Sequence, residues 1–498
     1  MIGSSLAKDE RRKVFGVVLG LMLFCAGCTV GPNYKRPSAP VPATWQVAEP
    51  WRQAEPRDNI PKTAWWTLFH NDELNGLETQ LLAANQTLQV SIAHFEQARA
   101  SAQVQNATLF PTVTAGPSAS VQRYSGTRPS EATTPVTAAV TQSNYVLPFS
   151  VSYEVDLFGQ RRRTIEAAQA AYQANAADLQ NVQLVLTAEL AADYFTLREL
   201  DSEIGILNRT VQALQKGLEL VESRHSGGIA SGLDVAQEET LLNSTQTQAI
   251  LLVQQRKQFE DAIAVLVGKP APDFHLATRE LSAEPPSFNT AIPSDLLERR
   301  PDISEAERQM AIANAQIGVA KAAYYPSLLL YGQGGWNSEH ISQLLNAASG
   351  IWALGANVGQ DIFSGGALHA QVHYSEAGYQ ATVANYRNTV LTAFQEVQDN
   401  ITGLEVLASA RQSQANAVDS AQKQLDISTS RYVGGLVTYL DVVTAQQNLL
   451  SNQQEAAIIQ GQRLVTSVLL VKALGGGWDA ASLAAVHVKP TAKDLITQ

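Results

Sequence analysis

Cysteine is almost missing from this chain, and both copies, Cys25 and Cys28, fall within the first 28 of its 498 residues. The body of the protein therefore holds no intrachain disulfide and depends on packing. Charge is sparse at 16% of residues, and the net charge of −11 argues against a broad nucleic-acid-binding surface. Past residue 27 no uninterrupted apolar run is long enough for a transmembrane helix. GxSxG, HExxH and Walker A patterns are absent, and Gly268-Lys269 lacks the glycine-rich loop of a phosphate cradle, so enzymatic chemistry is disfavoured. Proline is missing from 161–224 and 367–431, where glycine is also rare. What remains is rich in Ala, Gln and Leu, a composition suited to long helices with small residues at close contacts.

The two cysteines belong to a targeting segment. Lys8, Arg11, Arg12 and Lys13 form a basic region, followed by an apolar run from Val14 to Phe24 and then Cys25-Ala26-Gly27-Cys28. This is a secretory signal, too short for a membrane span. Small residues directly before a cysteine make it a bacterial lipobox, with residues 1–27 removed and Cys28 carrying N-acyl and S-diacylglycerol chains. Cys25 stands where Leu is usual, and an ordinary signal peptide with an incidental cysteine is the competing interpretation. Thr29 follows instead of the Asp that retains lipoproteins at the inner membrane, which points to the outer membrane. Four basic and two acidic groups leave with the signal, taking the net charge from −11 to −13.

The mature chain repeats itself. Arg224, Gly227, Gly228, Leu233, Asp234 and Val235 recur 207 positions on as Arg431, Gly434, Gly435, Leu440, Asp441 and Val442. Glu189 recurs as Glu396 and Gly268 as Gly475. Upstream, YEVDLFGQ from Tyr153 is echoed by GQDIFSGG from Gly359. A period this long is an architectural unit used twice. It divides the chain into an extended Pro- and Trp-rich segment (28–71), a first repeat (72–270), a linker (271–294), a second repeat (295–477) and a tail (478–498).

Each repeat reads as a helix, a β-hairpin, a very long helix and a returning helix. Asp72 to Ala107 carries a helical period, which changes to period 2 after Phe110-Pro111. Tyr145, Leu147, Phe149, Val151, Tyr153 and Val155 alternate with Ser, Asn and acidic residues; in the second repeat Trp352, Leu354, Ala356, Val358 and Ile362 alternate with Gly, Asn and Asp. Weaker strands precede them, giving hairpins at about 112–157 and 327–363. An apolar face opposite a Gly/Ser/Asn face is the pattern of a lipid-facing barrel strand; a soluble sandwich needs more than a two-stranded hairpin. The long helices span 161–224 and 367–431. Leu197, Leu200, Ile204, Leu207, Val211, Leu214, Leu218 and Val221 form a coiled-coil seam with 3-4 spacing. Further apolar positions indicate packing on two neighbours, as in a closed cylinder. Returning helices follow at 234–267 and 441–474, with Ser231-x-x-Asp234 and Thr438-x-x-Asp441 resembling capping boxes.

Two hairpins give four strands, which cannot close a barrel, and open edges in lipid leave unpaired backbone groups. The barrel must be shared between subunits. Eight strands from a dimer would be filled by side chains, whereas twelve from a trimer enclose a channel.

The segments CTVGPNYKRP (from Cys28), WWTLFHNDELNGL (from Trp65), LLERRPDI (from Leu296), AAYYPSLLLYG (from Ala322) and LGGGW (from Leu474) resemble NodT/OprM-type outer membrane lipoproteins of the TolC superfamily. The resemblance spans essentially the whole mature chain. It implies a mixed, mainly α fold: a homotrimer with a shared 12-stranded transmembrane β-barrel, continued by a long periplasmic α-helical barrel with an equatorial domain. Residues 271–294 would lie in that equatorial region. It further implies outer membrane lipids, a periplasmic adaptor (membrane fusion) protein and an inner-membrane transporter of the resistance-nodulation-division (RND) class as partners. The implied activity is a passive exit duct for drugs, small toxic compounds or metal ions, without a cofactor or nucleic-acid partner.

Within that frame Arg224, Gly227, Gly228, Ile229, Arg431, Gly434, Gly435 and Leu436 mark the periplasmic tips and are assigned to adaptor docking, though they also serve as tight turns. Asp426, in LDISTSRY, matches an acidic gate position of the family, and Glu219 is its repeat counterpart. Thr429 stands where the family pattern can carry a basic residue, which puts a salt-bridged lock in doubt. Ser231, Asp234, Thr438 and Asp441 are assigned to helix caps. His369, His373 and Glu376 have metal-binding spacing, but their counterparts Arg162 and Glu166 favour a generic polar face, and no metal site is assigned. A coiled-coil envelope spacer and a type I secretion duct are the alternatives; the hairpins argue against the first, the lipobox, RRPDI and LGGGW against the second.

Overall fold

Residues 29–38, 64–127, 138–286 and 300–476 are described by a computed structural model. The signal segment, Cys28 and the tail from 478 lie outside the described residues.

The elements run α1 (Asp72–Ala84), α2 (Gln86–Ala107), β1 (Thr112–Ala115), β2 (Ser118–Tyr124), β3 (Val140–Val155), α3 (Gln160–Ser226), α4 (Gly232–Leu266), α5 (Pro301–Ala322), β4 (Ser327–Ser338), β5 (Gly350–Gly359), α6 (Ala367–Val433) and α7 (Tyr439–Ala473). Helices α3 and α6 are each 67 residues long, about 100 Å at the standard rise. All bounds of α3 and α4 recur 207 positions on in α6 and α7. The starts of α2 and β1 recur instead 215 positions on, at Pro301 and Ser327. The first hairpin thus holds the extra residues of its repeat.

Two details differ from the sequence expectation. The 72–107 helix is two helices, because Asn85 adopts an extended ψ of 125° and caps the second. Its side chain accepts from the Leu88 amide at 2.9 Å and donates to the Leu266 carbonyl at 2.8 Å, which pins the break to the end of α4. The first strand is also interrupted, at Gly116-Pro117.

All strands among the described residues lie in one antiparallel sheet. Both β1 and β2 pair with β3, β3 pairs with β4 from Tyr145↔Ser338 to Val155↔Leu328, and β4 pairs with β5. The two hairpins therefore form one ribbon whose outer edges are β1–β2 and β5. Below it α3 packs on α2 and α5 near the sheet and on α4 and α7 further down, while α6 packs on α5 and α7. The result is a wall of helices, α2–α3–α5–α6 above and α4–α3–α7–α6 below.

The main core sits midway along the long helices. Trp65, Trp66 and Phe69 enter it from a short 3-10 turn, and Leu74 and Leu81 of α1 seal it against Leu190, Phe195 and Leu197 of α3, Ile263 of α4 and Leu464 and Val468 of α7. The N-terminal segment is strapped to the top of the wall. Arg163, buried in α3, donates to the carbonyls of Val30 and Gly31 and to Asn33 Oδ1. A Cβ on Gly31 would fall within 2.5 Å of Gly318 Cα, so only glycine allows the strap to lie this close to α5. Further along, Tyr34 packs beside Ile303, Met310 and Tyr386, and Arg36 donates to the Tyr386 hydroxyl at 3.1 Å.

Around the core an ion-pair network ties the extended chain after α4 to the wall. Buried Asp201 accepts from Arg198 at 2.6 Å, from Arg256 at 2.6 Å and from the Arg279 amide at 3.1 Å. Arg198 also reaches Glu73 and the Ala277 carbonyl, and Arg256 the Leu276 carbonyl. Further on, Glu284 pairs with Arg411 and Arg463, so residues 274–286 cross both helical hairpins. Removing one partner of a buried pair strands the others. Asp201→Ala should lower unfolding free energy by about 3 kcal/mol in urea titration of the detergent-solubilised protein. A change within experimental error would show that the network contributes nothing to stability.

Candidate functional site at the periplasmic tips

Each long helix ends in a glycine turn. Gly228 and Gly435 take φ of 72° and 71°, a left-handed conformation that side chains with a Cβ resist. The Ile229 amide reaches back to the Arg224 carbonyl at 2.8 Å and the Leu436 amide to the Arg431 carbonyl at 2.9 Å, the six-to-one bond of a Schellman turn. The next helices start on reciprocal caps. Ser231 and Asp234 exchange backbone-to-side-chain bonds at 3.2 Å each, and Asp441 accepts from the Thr438 amide at 3.1 Å and hydroxyl at 2.9 Å.

The two tips are packed together by a cluster in which Leu214, Val221 and Leu241 meet Tyr432, Tyr439 and Val442. Tyr432 is central to it. Its ring lies edge-on to Tyr439 at 4.8 Å, the Arg224 guanidinium sits 5.1 Å above it, and its hydroxyl donates to Asp234 Oδ2 at 3.4 Å. Asp234 thus caps its own helix and also bridges to the neighbouring hairpin. Arg224 is half-buried in this contact, whereas its counterpart Arg431 is exposed. The repeat hid this link, because His225 stands where the second half has Tyr432. Just inside, Glu238 is fully buried beside the Tyr439 hydroxyl, and burial pushes its carboxyl pKa up. A Cβ at Gly217 would collide with that carboxylate.

The outer rim of the tips is apolar. Ile229 and Leu436 are 71% and 75% exposed, with Leu233 and Leu440 beside them. Between α4 and α7 runs an open groove of about 320 Å³, lined by Leu233, Gln237, Thr240, Leu241, Val443 and Gln447. Asp426 and Glu219 are exposed on their long helices, and Asp426 accepts a hydrogen bond from Gln422 at 2.9 Å. Higher up, Glu376 is drawn to Lys321 at 2.9 Å, and that ion pair holds its carboxyl pKa low. Among the described residues no group of three His, Cys, Asp or Glu side chains is placed to hold a metal.

A family model described as outer membrane efflux protein matches residues 77–269 and 292–476. The chain belongs to this family. It is 31% identical over 470 residues to the toluene efflux pump outer membrane protein TtgF of Pseudomonas putida, covering 93% of this chain and 97% of that one. It is 34% identical over 459 residues to the pyoverdine export outer membrane protein OpmQ of Pseudomonas aeruginosa, covering 89% and 94%. The outer-membrane channel OprN superposes with a TM-score of 0.83 at 27% identity, covering 91% of this chain and all of that one. As a member of the efflux family the protein is an outer-membrane channel component, a conduit and not a catalyst, with the TolC-type fold of a partial β-sheet joined to long helices that extend into the periplasm.

The Tyr432–Asp234 contact predicts a local effect. Tyr432→Phe keeps the ring but removes the hydroxyl, a net loss of about 1 kcal/mol. Amide exchange at 224–234 and 429–441 should quicken about fivefold with the global unfolding midpoint unchanged. Unaltered exchange would exclude a role for the hydroxyl in holding the tips together.

Proposed function

We propose that three copies of this chain form a 12-stranded barrel continued by a helical tunnel, lipid-anchored in the outer membrane through Cys28, and that this tunnel is the passive exit duct of a tripartite RND-type efflux pump. The observation that carries it is the four-position antiparallel ribbon with two free edges, leading directly into helices about 100 Å long. In lipid those edges need partners, and further copies supply them without new sequence. The N-terminal strap supports the anchor: the Val30 amide donates to the Phe158 carbonyl at 3.1 Å, so Val30, two residues after Cys28, lies at the junction of sheet and helices. A lipid attached there would start close to the membrane boundary.

The glycine turns then point away from the membrane. Ile229 and Leu436, with the groove between α4 and α7, form an apolar surface suited to the helical tip of a periplasmic adaptor, while Arg431 offers it an exposed cation. Asp426 and Glu219 would project as rings of three carboxylates narrowing the entrance and favouring cations. Relatives named for toluene efflux and for pyoverdine export share this architecture, so the choice of cargo belongs to the inner-membrane partner.

Complementation of a deletion strain tests the assignment. Wild-type chain should restore tolerance to pump substrates, Ile229→Asp with Leu436→Asp should fail while still assembling, and Cys28→Ser should lose labelled palmitate. Unchanged tolerance in a deletion strain lacking other ducts would sink the efflux role; labelled Cys28→Ser would sink the anchor. In planar bilayers Asp426→Ala should reduce cation preference severalfold and raise conductance, as expected for removal of a ring of like charge. Identical currents would remove Asp426 from the gate.

A further inference from the structure

The duplication specifies an interface as well as a fold. In one chain, α3 and β3 of the first half pack on α5, α7 and β4 of the second. Their equivalents α6 and β5 stand at the far flank, while α2, α4 and β1–β2, the equivalents of what they should pack on, stand at the opposite flank. Side chains differ accordingly. Leu184 of α3 is in the core, and its match 207 positions on, Leu391 of α6, is 53% exposed.

The contrast is sharpest where sheet meets helix. Phe158, in Asp156-Leu157-Phe158, stacks on Tyr325 with centroids 4.6 Å apart and planes within 19°. Tyr325 sits between α5 and β4, in Tyr324-Tyr325-Pro326. The second half repeats the first motif as Asp361-Ile362-Phe363, and the first half repeats the second as Leu109-Phe110-Pro111. Ile362 and Phe363 are each 91% exposed, and Leu109 and Phe110 are 37% and 40% exposed. Two aromatic half-sites therefore stand open on opposite flanks, and each matches one half of a joint already closed within the chain. An interfacial lipid contact would suit exposed aromatics, but the equivalent Phe158 is taken up by protein.

We propose that Phe363 of one copy stacks on Phe110 of the next, with Ile362 against Leu109, so that the joint between copies repeats the joint between the halves. The inference rests on the ring of copies put forward above and names the contact that closes it. The contact is heterologous, head to tail, and builds a ring when the rotation closes. Alternation along the sheet agrees: β1 and β4 run in the same direction, so β5 of one copy meets β1–β2 of its neighbour antiparallel, as β3 meets β4.

A photo-crosslinking phenylalanine analogue at position 363 of the full chain, illuminated in outer membranes, tests this directly. Covalent dimers and trimers should appear, with peptides joining 363 to 108–111 of another copy. Crosslinks to lipid or to a different segment, in a protein that remains trimeric on native sizing, overturn the joint and leave the ring intact. A monomer on native sizing, with no intermolecular crosslink from 363 or from a probe at 391, overturns the ring and the joint together. In a second arm, Phe363→Asp should lower the detergent-resistant oligomer about tenfold, since a lost aromatic pair and its burial amount to at least one power of ten. Adding Phe110→Lys should recover most of it. An oligomer unaffected by Phe363→Asp would equally refute the contact.

Discussion

Backbone amides and carbonyls in a bilayer must be bonded inside the protein, and one copy of this chain cannot do that. Its sheet offers four strand positions and ends in two free edges, β1–β2 and β5. Each unpaired group in hydrocarbon costs several kcal/mol, so those edges need partners in a bilayer. Everything below the sheet follows from this demand. A ring built by rotation repeats one interface, and a chain built from a duplicated unit already contains a version of it. The long helices would inherit the same geometry, each flanked on both sides in the proposed ring.

Rigidity and mobility are distributed unevenly along the wall. Midway down, aromatic packing around Trp65 and Phe195 and the buried Arg198–Asp201–Arg256 cluster fix the helices against the strap at 274–286. Towards the tips the core thins to a small cluster, and the hairpins are linked by the Tyr432–Asp234 bond, by Arg224 over the Tyr432 ring and by Glu238 beside the Tyr439 hydroxyl. Elements with few buried contacts are the ones that open at low free energy.

Much of the fold was legible because the two periods of secondary structure leave strong marks. The 3-4 seam from Leu197 to Val221 and the alternation from Tyr145 to Val155 located the long helix and its strand, and the 207-residue offset carried both into the second half. The break at Asn85 was illegible, since apolar spacing continues across it and the cause is a bond to Leu266, distant in sequence. The belt network was missed for a related reason. Its members come from α1, α3, α4 and an aperiodic segment, and no local pattern joins Glu73 to Asp201 or Leu276. The turn and cap residues at the tips could be found from repetition alone, but Tyr432 could not, because it lies where the halves disagree.

That disagreement is informative in itself. Positions that match across the repeat, such as Gly228 and Gly435 or Asp234 and Asp441, serve needs both halves share: a turn and a helix start. In the proposed trimer, positions that differ would break the equivalence of six hairpin tips into two sets of three. His225 against Tyr432, and a half-buried Arg224 against an exposed Arg431, make the α6–α7 hairpin the one that is held and the one that still offers a charge. The substitutions at these few sites give a duplicated chain two kinds of tip, one with its arginine laid over Tyr432 and one with its arginine exposed.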